Sequence, residues 1–401
     1  MRAAVLSWGT RGDVQPMLAF ALELQKLGAR VRFGAPPSFA GFVRTYGVEF
    51  APIGTLDEES RYRELIDAVE PERNPRKQNR LLLQRVLEDL DRSYADSVAV
   101  AGSADMIVSH WMQIGGGLAA ETLVLPWISV TLHPAAIPSV DEGLDARKRN
   151  LNTLSQWMWG ERIHDFRKAR GLRAVSSVAS SLYSESLNLV AMSPLLLADT
   201  GRWRANHKAV GFFYLDEPPG WRPDAELVRF LDENERPIVF TFGSTAGFSP
   251  AATAHILSET IERLGLPAII QAGWSETAEH KFPGRVLLIR DVPHRWLFPR
   301  VRCVVHHGGA GTTAAALRAG VPAVVVWHMF DQPFWGNLLC ARNLGPAPIA
   351  RWTLTSELLA QRVEAACSQP CYRENCSRFA ASIEQENGAA VAAGLALGAA
   401  S

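Results

Sequence analysis

The chain has 401 residues, of which 47% are hydrophobic and 20% are charged. This length exceeds what one hydrophobic core usually organises, so two domains of about 200 residues each are expected, and the composition excludes global disorder. Lysine plus arginine and aspartate plus glutamate each total 41, which gives a formal net charge of zero. A neutral chain has no long-range field to hold a polyanion, so nucleic acid is not expected as a main partner.

The first predicted elements are a strand, a glycine turn and a helix. An apolar run covers Ala3–Leu6, the turn GTRGD follows at 9–13, and a helix is predicted from Pro16 to Leu27. Proline suits the first turn of a helix because its missing N–H is one of the unpaired donors there, and Gly28 suits the residue after the helix because it tolerates positive φ. With the apolar strand at 31–33, this stretch predicts a βαβ unit.

The alternation of strands and helices continues through the chain. Further strands are predicted at 106–108, 127–132, 189–191, 237–242, 268–271, 286–289, 303–305 and 323–327. A proline-rich linker at 213–224 separates an N-terminal domain, 1–212, from a C-terminal domain, 225–385, and a tail at 386–401 ends the chain. The predicted fold class is α/β, with two doubly wound domains that face each other across a cleft formed by the carboxyl ends of their strands.

The densest chemical signal is HHGGAGTT at 306–313, which directly follows a predicted strand and begins a helix. Glycines let the backbone approach an anion, and the first N–H groups of a helix point at it with the positive end of the helix dipole. His306 adds a charge or a further donor, and Thr312 or Thr313 adds a hydroxyl. The alternative is a glycine-rich turn with core histidines. No lysine follows and no GxGxxG is present, so neither a Walker loop nor a dinucleotide fingerprint is predicted.

Polar side chains follow three other predicted strands. Ser244 either supplies a hydroxyl to the same anion or caps a helix. Asp331 and Gln332 place a carboxylate beside an amide, which suits neighbouring sugar hydroxyls, although a turn before proline also explains them. Asp13 is either a general base or the cap of the helix at Pro16.

Taken together, these segments resemble a known family. GTRGDVQP at 9–16, TFGS at 241–244, DVPHRWLFP at 291–299, HHGGAGTTAAALRAGVP at 306–322 and DQPFWG at 331–336 are similar in order and spacing to the family 1 glycosyltransferases of GT-B fold. The similarity is greatest to the bacterial antibiotic and sterol glucosyltransferase branch and extends over essentially the whole chain. It implies that the second Rossmann-like domain binds a nucleotide-activated sugar and that the first binds the acceptor.

The resemblance also implies a role for each matching residue. Asp13 becomes the base that deprotonates the acceptor hydroxyl, the backbone near Val292 contacts the nucleobase, and Asp331 and Gln332 bind the hexose hydroxyls. The implied ligands of the donor diphosphate are Ser244, His306, Gly309, Ala310, Gly311 and Thr312. Plant members carry a tryptophan at the position of Asp291 and a glutamate at that of Ala314, so uridine and thymidine both stay open.

The acceptor is expected to be lipophilic, because the first domain carries many aromatic side chains. Trp111, Met112 and His133 are the candidate acceptor-binding residues. A basic stretch at 73–85 beside three leucines predicts a solvated helix face or, as the alternative, weak contact with an anionic membrane surface. No apolar run reaches the roughly 18 residues of a membrane span. Five cysteines without a CxxC pair predict reduced thiols and a cytoplasmic protein.

Glycosyl transfer needs a base for the incoming hydroxyl and stabilisation of the departing diphosphate. A single base opposite the leaving group implies inversion, and amide groups with His306 carry the diphosphate charge, so no metal or other cofactor is expected. The predicted function is transfer of a hexose from a UDP- or TDP-activated donor to a sterol, polyketide, terpenoid or similar natural product. The alternatives are a GT-B-type nucleotide-sugar epimerase and a catalytically silent GT-B activator or binding subunit.

Overall fold

The structure, a computed structural model, describes residues 1–54, 59–134, 137, 159–175, 178–197, 203–243, 250–271 and 280–400. The chain divides into two compact units. Unit 1 comprises Met1–Leu65, Asn79–Leu215 and Glu386–Ser401, and unit 2 comprises Ile66–Gln78 and Asp216–Gln385.

Each unit is built on one parallel β-sheet. The strands are β1 (Arg2–Leu6), β2 (Arg30–Ala35), β3 (Glu49–Pro52), β4 (Met106–His110), β5 (Trp127–Thr131), β6 (Leu187–Val190), β7 (His207–Ala209), β8 (Ile238–Thr241), β9 (Ala268–Gln271), β10 (Val286–Ile289), β11 (Cys303–His306), β12 (Ala323–Trp327) and β13 (Ile349–Ala350). The helices are α1 (Arg11–Lys26), α2 (Ala40–Thr45), α3 (Glu59–Val69), α4 (Pro75–Glu88), α5 (Leu90–Ala101), α6 (Ile114–Leu123), α7 (159–169), α8 (Val178–Ser181), α9 (Ala225–Glu233), α10 (Pro250–Leu264), α11 (His294–Leu297), α12 (Ala310–Arg318), α13 (Gln332–Ala341), α14 (Ser356–Ser368), α15 (Pro370–Ser382) and α16 (Gly388–Ala400).

The two sheets share one strand order. Unit 1 has the order β3-β2-β1-β4-β5-β6-β7, and unit 2 has the order β10-β9-β8-β11-β12-β13. Counted within each unit, both orders begin 3-2-1-4-5-6, which is the Rossmann arrangement with a switch point between the first and fourth strands. The prediction of two doubly wound Rossmann-like domains is therefore confirmed. The carboxyl ends of β1 and β4, and of β8 and β11, are where such folds place ligands.

The first helix begins earlier than the sequence predicts. α1 starts at Arg11, so Pro16 lies inside the helix rather than in its first turn. The reason is a capping arrangement in which the side chain of Asp13 accepts a hydrogen bond from the backbone N–H of Thr10, at 2.8 Å. This pairing stabilises a helix start at the glycine turn, five residues before the proline.

The predicted tail at 386–401 differs in the structure, where it contributes α16 to unit 1. Ala389, Ala392 and Ala393 of this helix are buried, and the helix packs on α1. A Cβ atom added to Gly388 would lie 2.2 Å from the carbonyl oxygen of Gly211, so the chain crosses itself there at a distance that only glycine allows. The small residues of α16, which form no polar face, thus indicate that this helix packs closely against unit 1.

A second difference from the predicted domains is the segment 66–78, which belongs to unit 2. The Arg351 guanidinium donates hydrogen bonds to the backbone carbonyls of Val69, at 3.2 Å, and Glu70, at 2.6 Å. A cation that satisfies several carbonyls at the end of α3 stabilises that end electrostatically. This attachment was invisible in the sequence because its partners are 281 and 282 residues apart.

The basic stretch at 73–85 makes local contacts at its C-terminal end. Arg85 pairs with Glu64 and Glu88, each at 2.9 Å, and Leu82 and Leu83 are buried. Both the solvated helix face and the weak membrane contact stay predictions. Among the described residues, no helix is both long enough and apolar enough to span a bilayer. None of the five cysteines forms a disulfide bond.

Candidate functional site

In unit 2, the carboxyl ends of three neighbouring strands are linked by one side chain. The Gln271 amide oxygen, at the end of β9, accepts a hydrogen bond from the Thr241 hydroxyl at 2.9 Å and lies 3.2 Å from Nε2 of His294. The Gln271 amide nitrogen donates to the Arg290 carbonyl, at 2.9 Å. These contacts fix the segment after β10 that contains Val292. Sequence reasoning missed Gln271, although a glutamine that ends an apolar strand was visible.

His306 is the last residue of β11 and is completely buried. Its Nδ1 accepts a hydrogen bond from the backbone N–H of Gly308, at 3.0 Å. Burial, together with the nearby His307 and His294, holds the pKa of His306 well below its usual value, so the ring is neutral. The single ring proton therefore lies on Nε2, which has no hydrogen-bond partner in the described part of the chain. Of the two options predicted, the structure favours a donor over a charge.

The helix after this turn has no side-chain cap at its N-terminus. α12 has Gly309 as its N-cap and no side-chain cap, so the first-turn N–H groups of Ala310, Gly311 and Thr312 have no acceptor within the helix. A Cβ atom added to Gly311 would meet no atom of the described residues within 4 Å, so that part of the chain leaves open space beside this turn. The Thr313 hydroxyl donates to the Gly309 carbonyl at 2.9 Å and is therefore engaged within the helix, whereas the ligand role of Thr312 stays a prediction. Ser244 lies outside the described residues.

The second histidine of the motif packs against two glycines. A Cβ atom on Gly309 would lie 2.4 Å from Nε2 of His307, and one on Gly243 would lie 3.2 Å from its Cε1. Burial lowers the pKa of His307 to about 4, although the charge of Asp331 acts in the opposite direction. His307 was not singled out from the sequence, where the flanking glycines were the available signal.

Asp331 and Gln332 follow β12 in a tight turn. Phe330 has φ of +56°, a left-handed conformation that is strained for a bulky residue. The Gln332 amide oxygen accepts hydrogen bonds from the backbone N–H of His328, at 2.7 Å, and of Met329, at 3.0 Å. Oδ2 of Asp331 accepts from Nε1 of Trp335, at 2.8 Å. Gln332, only 6% exposed, thus stabilises the turn through its amide oxygen, and its contact with a sugar stays a prediction.

In unit 1, Asp13 lies in the first turn of α1, beside the end of β1. Its Oδ2 accepts hydrogen bonds from the Thr10 backbone, at 2.8 Å, and from the Thr10 hydroxyl, at 3.3 Å. Gly9 has φ of +92°, and a Cβ atom there would lie 2.4 Å from the same oxygen, so this position requires glycine. Oδ1 of Asp13 lies 3.9 Å from Nε2 of His110. The capping role is present, and it occupies one of the two carboxylate oxygens.

His110 is the last residue of β4 and was missed by sequence reasoning. Its side chain is 3% exposed, whereas that of Asp13 is 28% exposed. Burial, with a further contribution from His133, lowers the pKa of His110 to about 3, so the ring is neutral. The available signal was a histidine two residues after the strand predicted at 106–108.

Two of the three candidate acceptor residues come together. The rings of Trp111 and His133 contact each other edge to face, with centroids 5.8 Å apart, and Trp111 also stacks on Tyr183 at 6.3 Å. Both Trp111 and His133 are partly exposed. Met112 is buried and therefore belongs to the interior of unit 1.

Comparison with known proteins places this arrangement in a family. The N-terminal domain model of glycosyltransferase family 28 matches residues 3–135, and the model of the erythromycin biosynthesis protein CIII-like C-terminal domain matches residues 268–393. Two solved structures share the fold: the glycosyltransferase of kitacinnamycin, with a TM-score of 0.75, 19% identity and coverage of 99% of this chain and 98% of the other, and VinC in complex with DTDP, with a TM-score of 0.72, 18% identity and coverage of 100% and 99%.

Two curated relatives are more similar in sequence. A sterol 3-beta-glucosyltransferase of Arabidopsis thaliana is 34% identical over 371 residues, which are 87% of this chain but only 58% of that relative. The O-mycaminosyltylonolide 6-deoxyallosyltransferase of Streptomyces fradiae is 31% identical over 418 residues, covering 97% of this chain and 95% of the relative. The chain therefore belongs to the GT-B glycosyltransferase enzymes, on the branch that contains the antibiotic and sterol glycosyltransferases.

Proposed function

We propose that this protein transfers a hexose from a nucleoside-diphosphate sugar to a hydroxyl group of a lipophilic small molecule, with inversion at the anomeric carbon and without a metal ion. The single observation that carries the proposal is the start of α12. There, Nε2 of a buried neutral histidine has no hydrogen-bond partner among the described residues, and the helix N-terminus has no side-chain cap and has open space beside Gly311 within the described part of the chain. Such a group of donors suits a diphosphate.

Unit 2 holds the donor in this proposal. The amides of Ala310, Gly311 and Thr312, with Nε2–H of His306, bind the diphosphate and stabilise the charge that develops as it leaves. Val292 contacts the nucleobase, and Asp331 with the NH2 group of Gln332 binds hexose hydroxyls. Neutral donors and the helix dipole meet the diphosphate charge here, which is why no metal ion is assigned a role. Ser244 retains its proposed phosphate contact on the resemblance alone.

Unit 1 holds the acceptor. Asp13 takes the proton of the acceptor hydroxyl, whose oxygen attacks the anomeric carbon as the bond to the diphosphate breaks. Trp111 and His133 offer an edge of aromatic surface to an apolar acceptor. The names of the relatives, which contain a sterol and O-mycaminosyltylonolide, support a lipophilic acceptor, and the donor is a UDP or a TDP derivative.

The proposal is tested first by binding and then by turnover. A thermal-shift panel of UDP-, TDP- and GDP-sugars identifies the donor, because a ligand at 100 times its Kd adds about 2.7 kcal/mol of stability. Sterols and macrolides are then screened with that donor, the anomeric configuration of the product is read by NMR, and the assay is repeated with EDTA. A retained configuration, or loss of turnover with EDTA, contradicts the corresponding part of the proposal. Conversion of the sugar nucleotide without an acceptor would instead favour an epimerase.

A further inference from the structure

The fold brings a histidine to the side of Asp13. β1 and β4 are neighbouring parallel strands, and their register pairs Leu6 with Ser109. The residues immediately beyond this pair therefore emerge side by side at the switch point of the sheet. One is His110, and the turn after β1 returns Asp13 to the same place, where 3.9 Å separates Oδ1 of the carboxylate from Nε2 of the ring.

The two oxygens of Asp13 have different surroundings. Oδ2 is held by the amide and the hydroxyl of Thr10. Oδ1 faces the histidine at a distance longer than a hydrogen bond, which requires about 3.2 Å or less. Hydrogen bonds of catalytic groups are often long in the absence of substrate and shorten when it binds.

The position of the ring proton follows from the surroundings of His110. The ring is neutral and buried, so it carries one N–H group and one lone pair. Nδ1 has no hydrogen-bond partner within the described residues. A buried N–H without an acceptor is rarer in proteins than an acceptor that is left under-satisfied, so the lone pair belongs on Nδ1 and the proton on Nε2. The N–H group then faces the carboxylate.

We propose that His110 is a positioning residue for Asp13, and that its Nε2–H holds Oδ1 of the carboxylate in the ionised state and in the orientation that receives the acceptor proton. This inference rests on the proposed function, in which Asp13 is the base. The proton stays on His110 throughout, and the proton from the acceptor hydroxyl goes to Asp13. Trp111, the next residue in the chain, has its ring centroid 6.3 Å from that of His110, and the His133 ring contacts Trp111.

The test is a double-mutant cycle. His110→Gln places an amide N–H near the position of Nε2, whereas His110→Leu keeps comparable bulk without a donor; each is made alone and together with Asp13→Asn. We expect His110→Leu to lower kcat about 10- to 100-fold, the range for a lost hydrogen bond to a charged group, and His110→Gln to recover most of it. In the Asp13→Asn background, His110→Leu should cost less than threefold. The KM for the donor and the melting temperature should change little.

A purely structural role would give a different pattern. His110→Leu would then lower kcat by the same factor in both backgrounds, and His110→Gln would be no better than His110→Leu; either result overturns the inference. NMR of the full chain with ¹⁵N-labelled histidine gives a readout that needs no turnover, with the His110 signal assigned by its loss in His110→Gln. We expect the Nε2–H tautomer, and the Nδ1–H tautomer would overturn the inference. Absence of transfer by the wild-type chain with every donor and acceptor would count against the proposed function instead.

Discussion

The two units end corresponding strands with the same residue type and use it differently. His110 ends β4, which is the fourth strand of unit 1 in chain order, and His306 ends β11, which is the fourth strand of unit 2 in chain order. Both rings are buried and neutral. Nδ1 of His306 accepts from Gly308, so its N–H is left for a ligand, whereas Nε2 of His110 faces Asp13. A shared topology thus fixes where a side chain emerges, and the adjoining turn decides what it contacts.

The helices beside these histidines, α1 and α12, differ in what lies at their N-termini. The N-terminus of α1 is occupied by the carboxylate of Asp13, whereas that of α12 has only Gly309 as its cap. A helix start attracts negative charge in both cases. Unit 1 supplies this charge from its own chain, whereas in unit 2 the proposed diphosphate would supply it.

The largest effect is expected for Asp13. Asp13→Asn keeps the size of the side chain but removes its basicity, so transfer should fall by about 10² to 10⁴, the usual contribution of general base catalysis. Affinity for the nucleotide sugar should be unchanged, because unit 2 binds it. Steady-state kinetics and titration calorimetry measure the two effects. Turnover near the wild-type rate would remove Asp13 from the mechanism.

For His306 the expected effect is on the affinity for the nucleotide sugar. His306→Asn retains an acceptor near the position of Nδ1 for Gly308 but has no donor at Nε2, so Kd for the nucleotide sugar should rise about 10- to 100-fold, as for other hydrogen bonds to charged groups. His255→Asn is a matched control, because that side chain lies on α10 and is 70% exposed. Equal affinities of the two variants in calorimetry would exclude a donor role for His306.

Two glycine substitutions extend the comparison to the backbone. Gly9→Ala should destabilise unit 1 by about 1–2 kcal/mol, because its φ is positive, and should displace Asp13, with loss of turnover.

Gly311→Ala should instead stabilise α12 by about 0.5–1 kcal/mol, since alanine is the better helix residue, while its methyl group enters the open space and weakens donor binding. Urea unfolding and calorimetry separate stability from affinity. Unchanged donor affinity in Gly311→Ala would place the diphosphate elsewhere.

The sequence predicted the interior strands of both sheets but not all of the edges. β3, β7 and β13 were missed, and each lies at the edge of its sheet. They are short, and their residues are partly exposed, for example Glu49 in β3 and Lys208 in β7, so they lack the continuous apolar run by which a buried parallel strand is recognised. The fold and the glycine-rich turn were predictable because the order of elements and the family motifs are visible directly in the sequence.

The pairwise contacts of the site were less predictable. Asp13 was expected to act as a cap or as a base, and the structure shows that its two oxygens have different neighbours, a distinction that depends on Gly9 and His110 in three dimensions. Gln332 was expected to bind sugar, yet its oxygen is engaged by two backbone amides of its own turn. The spacing of residues along the chain shows which strand end they follow. It does not show which side-chain atoms already accept hydrogen bonds from the backbone.

The smallest expected effect distinguishes the two threonines of the motif. Thr313→Val removes the hydroxyl that donates to the Gly309 carbonyl, so it should cost about 1 kcal/mol of stability and leave donor affinity unchanged. Thr312→Val removes the hydroxyl left for a ligand, so Kd for the nucleotide sugar should rise about fivefold at nearly constant stability, the equivalent of one ordinary hydrogen bond. Both side chains are small and largely buried, at 0% and 9% exposure, so the pair is matched in size and environment. If both variants lost affinity equally, the effect would come from movement of the α12 N-terminus, and neither hydroxyl would be a ligand.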